Sequence, residues 1–292
     1  MPHLKANTVE EKKNQKIPKL NIRIPIIPPI PPMTSFIPDS NIYIPNITGS
    51  TLIIPSISIG NIPQLSIDLL IHTLNFIKIG TLDDVYLYPF ASPIDYCKTS
   101  KKGISHSIEI FYNEELNLTL IQQRSPILPS YITSYVSEII IPFIKFFTFK
   151  KIVILDSLDA GLFEHVNAGD IEIYNSESLL SKSLESLKLN NEKLLDEQID
   201  QHSNYVKYLL QELNLPRNES SKNNELNDID VNVLVSFVYE GDNFYDGEKL
   251  AFKLSDFLNI NKKIDHWVRP VSWFGAYGDK PIPNAMEEGL FG

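Results

Sequence analysis

A chain of 292 residues with a hydrophobic fraction of 43% holds enough apolar material for one large domain or two small ones. Its 36 acidic residues against 26 basic ones leave a net charge of −10, which argues against nucleic acid or an anionic membrane as the main partner. Its one cysteine, Cys97, excludes an intrachain disulfide and a cysteine-based zinc cage.

Residues 1–32 begin with charge: Glu10, Glu11, Lys12 and Lys13 stand where a secretory signal would carry its apolar stretch. A cytoplasmic location, extending to the nucleus, is the matching expectation. Pro18, Pro25, Pro28, Pro29, Pro31 and Pro32 follow. Prolines at this density remove backbone donors and favour extended conformations, so 1–32 is expected to be a disordered extension. The longest apolar run, 139–147, is too short and too interrupted to span a bilayer.

A single domain is expected over 33–278. It opens with a β-branched run at 51–59, read as a buried strand that Gly60-Asn61 breaks. Ile62, Leu65, Leu69, Leu70 and Leu74 then recur at helical spacing, with Pro63 in the first turn, where its missing N–H costs nothing. Strands are predicted at 81–88, 107–112 and 116–123, then a long apolar helix over 129–150 with a kink at Pro142. Residues 151–156 and 231–239 read as central strands, the latter followed by a helix over 246–259. Residues 176–228, rich in Ser, Asn, Glu, Lys and Leu, read as a surface helical insertion that ends in a disordered loop. Strands alternating with helices predict an α/β fold, its sheet covered on both faces.

Catalytic patterns are scarce. His3, His72, His106, His165, His202 and His266 are scattered, with no paired metal-ligand spacing, no nucleophile elbow and no phosphate-binding loop. No cofactor is expected. Cys97 precedes Lys98, Lys101 and Lys102, a setting that could lower a thiol pKa, although a lone cysteine in a polar loop is ordinarily inert. The Gly60-Asn61 turn joins a strand to a helix N-terminus, where free N–H groups can hold an anion; a purely structural turn is the simpler reading. Glu240, Asp242, Asp246 and Glu248 lack calcium-loop spacing, and capping of a helix start accounts for them. Asp68 and His72 lie one helical turn apart, with no third partner evident.

Both tryptophans fall in the stretch 266–278, and the sequence closes on Glu287-Glu288-Gly289-Leu290-Phe291-Gly292. Terminal residues are usually polar and frayed. A Leu-Phe pair beside a terminal carboxylate has the make-up of a peptide that another protein holds; the alternative is that Leu290 and Phe291 fold back on their own domain. Residues 279–292 are expected to form a flexible tail.

Several segments resemble one family, proteasome assembly chaperone 2. Pro55-Ser56-Ile57-Ser58-Ile59-Gly60-Asn61-Ile62-Pro63-Gln64-Leu65 and the residues on to Leu70 are similar to its opening strand–turn–helix. Gln122-Gln123-Arg124-Ser125-Pro126 is a shorter match, and Phe237-Val238-Tyr239-Glu240-Gly241-Asp242-Asn243 resembles its late strand and acidic turn. Val268-Arg269-Pro270-Val271-Ser272-Trp273-Phe274-Gly275-Ala276-Tyr277-Gly278 is similar to the tail of its fungal members. The resemblance implies a three-layer α/β/α sandwich of the nucleoside phosphorylase-like kind and a non-enzymatic chaperone. It implies a heterodimer with a second, chaperone 1-type partner on the proteasome α-subunit ring, guiding ring assembly and blocking early docking of regulators. Attachment in that family uses a hydrophobic-Tyr-any residue motif inserted between α subunits. On this chain Leu290 is the hydrophobic residue, Phe291 takes the tyrosine position and Gly292 supplies the carboxylate; Phe keeps ring burial and loses one hydroxyl bond, worth about 1 kcal/mol. Two other readings stand beside it: a phosphorylase-fold enzyme or nucleoside-binding protein using the Gly60 turn, and an adaptor whose proline-rich arm recruits partners.

Overall fold

The β-branched runs assemble into one mixed sheet in a computed structural model that describes residues 35–40, 43–175, 203–214 and 229–274. Eight strands lie in the order β1 (Phe36–Pro38), β3 (Ile77–Leu82), β6 (Ile108–Asn113), β7 (Leu118–Gln123), β2 (Thr51–Pro55), β8 (Lys151–Asp159), β10 (Asp230–Val238) and β9 (Ile171–Asn175). β2 runs parallel to β7 on one side and to β8 on the other, and β10 runs parallel to β8. The flanks are antiparallel, β9 along β10 at one end and β7, β6, β3 and β1 in turn at the other. β4 (Ala91–Pro93) and β5 (Ile104–His106) form a separate small pair. The helices are α1 (Ile62–Thr73), α2 (Ile132–Ser134), α3 (Ile141–Phe147), α4 (Asn204–Asn214) and α5 (Phe244–Phe257).

Parallel strands in such a sheet are buried on both faces, and this is why they read as predominantly apolar rather than as alternating. Leu52, Ile54, Ile152, Ile154, Val233 and Val235 turn to one face, where they meet Val136, Ile140, Phe143, Val206 and Leu209. Their neighbours Ile53, Val153, Leu155 and Leu234 turn to the other, against Ile67 and Leu70 of α1 and Leu250 and Leu254 of α5. The result is the expected α/β/α arrangement. Among the described residues no helix is long and apolar enough to cross a membrane.

Several elements differ from the sequence reading, among them the short strands β1, β4 and β5, which it did not include. The predicted strand at 81–88 lies earlier, at β3, because Gly80 sits inside the strand and does not bound it: a Cβ there would come 2.4 Å from the Ile37 carbonyl oxygen of β1. Beyond it Val85 is exposed, and Leu87 makes only an isolated bridge to Ile127. The helix expected over 129–150 is shorter and changes pitch. Pro142 offers no amide to the Glu138 carbonyl, and the stretch just before it, Tyr135–Ile140, is π-helical. β9 went unread because only five residues alternate there, half in solvent at the sheet edge. Within 176–228 the described helix, α4, turns one face into the core and leaves the other exposed: Tyr205, Val206, Leu209 and Leu213 are buried, Tyr208 is exposed, and Tyr205 packs on Tyr135 with ring centroids 5.8 Å apart. The rest of that stretch, the extension 1–32 and the tail 279–292 lie outside the described residues.

Candidate partner-binding region

The carboxyl ends of β2 and β8 meet at the centre of the sheet, where open α/β folds place ligands. Here the chain's own side chains occupy that position. Ser56 Oγ donates to Asp156 Oδ1 at 2.5 Å, the Oγ atoms of Ser58 and Ser157 lie 2.7 Å apart, and the Ser157 hydroxyl donates to the Ile59 carbonyl at 2.6 Å. Asp156 is fully buried in this hydroxyl network.

The next turn is closed in the same way. Gly60 and Asn61 both adopt left-handed conformations, φ 67° and 50°, to swing the chain from β2 into α1. In front of Gly60 stands the buried Asn243, so close that a Cβ on the glycine would lie 2.5 Å from Asn243 Oδ1. Asn243 Nδ2 donates to the Tyr239 carbonyl at 2.9 Å and to Asp246 Oδ2 at 3.0 Å, while its Oδ1 accepts from the Gly241 amide at 3.0 Å. An amide side chain fills the space that a phosphate would need. The opening strand–turn–helix and the late acidic turn are thus two halves of one contact.

The acidic cluster is spent on α5 and on the segment that follows it. Asp242 Oδ1 accepts from the Phe244 amide at 3.3 Å, Asp246 lies 3.7 Å from Lys249, and Glu248 pairs with Arg269 at 2.6 Å. These carboxylates do not converge.

Asp68 does have further partners. Arg124 Nη2 reaches its Oδ1 at 2.7 Å and Nη1 its Oδ2 at 3.2 Å, a two-pronged pair, and Gln122 Nε2 adds a bond to Oδ1 at 2.7 Å. Gln122 also donates to the Gln64 carbonyl at 3.0 Å, tying β7 to α1. His72 completes the cluster, its pKa lowered because burial outweighs the pull of Asp68 and Asp95. The sequence carried one signal for this site, the Gln122–Pro126 match, but nothing in it paired Arg124 with Asp68. Cys97 fits the inert reading rather than the activated one. Its thiol pKa is raised, since burial and Asp95 prevail over Lys101 and Lys98.

The Trp-rich stretch is anchored over the α1–α5 layer. Trp273 is buried, stacks on Phe244 with centroids 4.4 Å apart and packs with Leu69 and Ala251. The Val271 amide donates to the Tyr96 carbonyl at 2.8 Å, Ser272 donates to Asp95, and the Val268 amide donates to Thr73 Oγ1 at 3.0 Å. These ties hold 268–273 to the domain. Leu290, Phe291 and Gly292 lie outside the described residues.

The chain is similar in sequence to known proteins. The model of the PAC2 family matches residues 52–215. The chain is 30% identical over 259 residues to proteasome assembly chaperone 2 of Saccharomyces cerevisiae, covering 78% of this chain and 95% of that protein. It is 28% identical over 250 residues to proteasome assembly chaperone 2 of Danio rerio, covering 80% and 94% respectively. A Pyrococcus furiosus crystal structure described as an archaeal homolog of proteasome-assembly chaperone superposes with a TM-score of 0.46 at 12% identity, over 75% of this chain and 85% of that one.

Proposed function

The chain belongs to the proteasome assembly chaperone 2 family, within PAC2, and from that we propose that it is a non-catalytic chaperone for assembly of the proteasome core particle. The observation that carries the reading is the 30% identity to the Saccharomyces cerevisiae chaperone along 95% of that protein's length. The chaperone pairs with a second, chaperone 1-type subunit and sits on the α-subunit ring in the cytoplasm, extending to the nucleus. There it guides ring closure and keeps regulators from docking early. Leu290, Phe291 and Gly292 insert between neighbouring α subunits, Leu290 and Phe291 by apolar burial and Gly292 in the carboxylate position of the motif.

The filled Gly60 turn and the hydroxyl network at the sheet centre support binding over turnover, because the two positions best placed for a small ligand hold Asn243, Ser56 and Asp156 instead. The test is deletion of Leu290, Phe291 and Gly292 from the full chain. Co-purification with α subunits is expected to drop at least tenfold while the melting temperature stays unchanged. Undiminished co-purification would remove the tail from the account.

A further inference from the structure

Between α5 and the β9 edge of the sheet lies an open groove of about 570 Å³, whose lining includes Ile171, Tyr245, Lys249, Phe252, Lys253 and Trp267. The helix itself explains the alignment. Tyr245, Lys249 and Phe252 stand at i, i+4 and i+7 on one side of α5, while Leu250 and Leu254 face the core from the other. Tyr245 is 66% and Phe252 59% exposed. Single exposed rings are ordinary, but two aligned along a groove that Ile171 and Trp267 extend make a contact surface.

The charge of the groove narrows the occupant. Glu248 is ion-paired with Arg269 at 2.6 Å, and Asp170 accepts from the Asn167 amide at 2.7 Å. Lys249 lies 4.6 Å over the Tyr245 ring and 3.7 Å from Asp246, and Lys253 makes no ion pair among the described residues. An apolar floor with two lysines one helical turn apart therefore suits a segment carrying large apolar side chains next to acidic ones. The chain holds such a segment itself, Glu287-Glu288-Gly289-Leu290-Phe291. It is also within reach. Trp273 stacks on Phe244, the residue next to Tyr245, and the residues from Phe274 to Leu290 span up to roughly 50 Å when extended.

We propose that residues 287–291 dock in this groove when no partner holds them, Leu290 and Phe291 against Tyr245, Phe252 and Trp267, and Glu287 and Glu288 beside Lys249 and Lys253. The contact stands on the groove alone; its consequence, a tail withheld from α subunits until they displace it, rests on the function proposed above. Bound this way, an apolar tail is shielded from solvent and from unintended partners.

The experiment uses the full chain with Phe291 replaced by the photoreactive analogue benzoyl-phenylalanine, irradiated at low concentration and mapped by peptide mass spectrometry. Cross-links within one chain to residues 245–253 or Trp267 are expected, reduced at least fivefold by Phe252→Ala with Lys249→Glu and Lys253→Glu. Cross-links to another part of the chain, cross-links only between two copies, or none at all would overturn the proposal. Capture of α subunits is read separately with the same groove variant, whose tail is intact. Groove cross-links without α-subunit capture would defeat the functional reading and leave the docking site; capture without groove cross-links would do the reverse.

Discussion

Replacing Asp68 by alanine separates a structural role for the buried polar cluster from a working one. In the folded protein this carboxylate accepts three hydrogen bonds, two from Arg124 and one from Gln122. Its removal leaves the guanidinium without its counter-charge and Gln122 with the Gln64 carbonyl alone as acceptor. Breaking a buried pair from one side costs about 3–5 kcal/mol. The Arg124 side chain keeps 21% of its surface in solvent, against 7% for Asp68, so water screens part of the loss and the lower end, about 3 kcal/mol, is expected. For a chain this long each kcal/mol moves the midpoint by about 2–4 °C, which predicts a drop of about 6–12 °C. Urea unfolding followed by tryptophan fluorescence gives the free energy directly. Asp68→Ala combined with Arg124→Met removes both charges and is expected to recover at least about 1 kcal/mol of the loss, because no uncompensated ion remains. If Asp68→Ala costs less than about 1 kcal/mol, or raises stability, the cluster is not a structural tie and the reasoning fails.

Two other perturbations test the same architecture. Gly60→Ala is expected to cost about 2–4 kcal/mol: roughly 1–2 for a side chain at φ 67° and at least about 1 for the clash with Asn243. Adding Asn243→Ala should return part of it, so strictly additive urea midpoints would show that the two residues do not meet. Acid should weaken the fold through His72, whose folded pKa lies below its ordinary 6.5 because of burial. Between 6.5 and that lower value the unfolded imidazole binds the proton first, so stability falls as pH drops through this window. Urea midpoints of wild type minus His72→Gln, measured from pH 7.5 to 5, should decline across it; a flat difference would exclude the coupling to burial.

The legible parts of the fold were those in which local sequence and tertiary burial agree. β2, β8 and β10 are rich in β-branched and other apolar residues because both their faces are covered, and Pro63 marks the start of α1 from the sequence alone. What stayed hidden depended on contacts between distant residues. The strand read from 81 begins at Ile77 and carries Gly80 against β1, and one face of α4 enters the core, where Tyr205 meets Tyr135. Arg124 and Asp68 are 56 positions apart, and no periodicity joins them. For the candidate partner-binding region the sequence supplied the residue types, and the fold supplied the anchor at Trp273 and the groove lined by Tyr245, Phe252 and Trp267.

The central claim is that this chain acts by binding proteasome subunits during assembly. The most direct measurement is affinity purification of the tagged full chain from its own cells, with quantitative mass spectrometry of what comes with it. The account predicts α subunits of the core particle and one related chaperone among the most enriched proteins, the chaperone at a one-to-one ratio. Purification with neither, from cells in which core particles are being assembled, would contradict it.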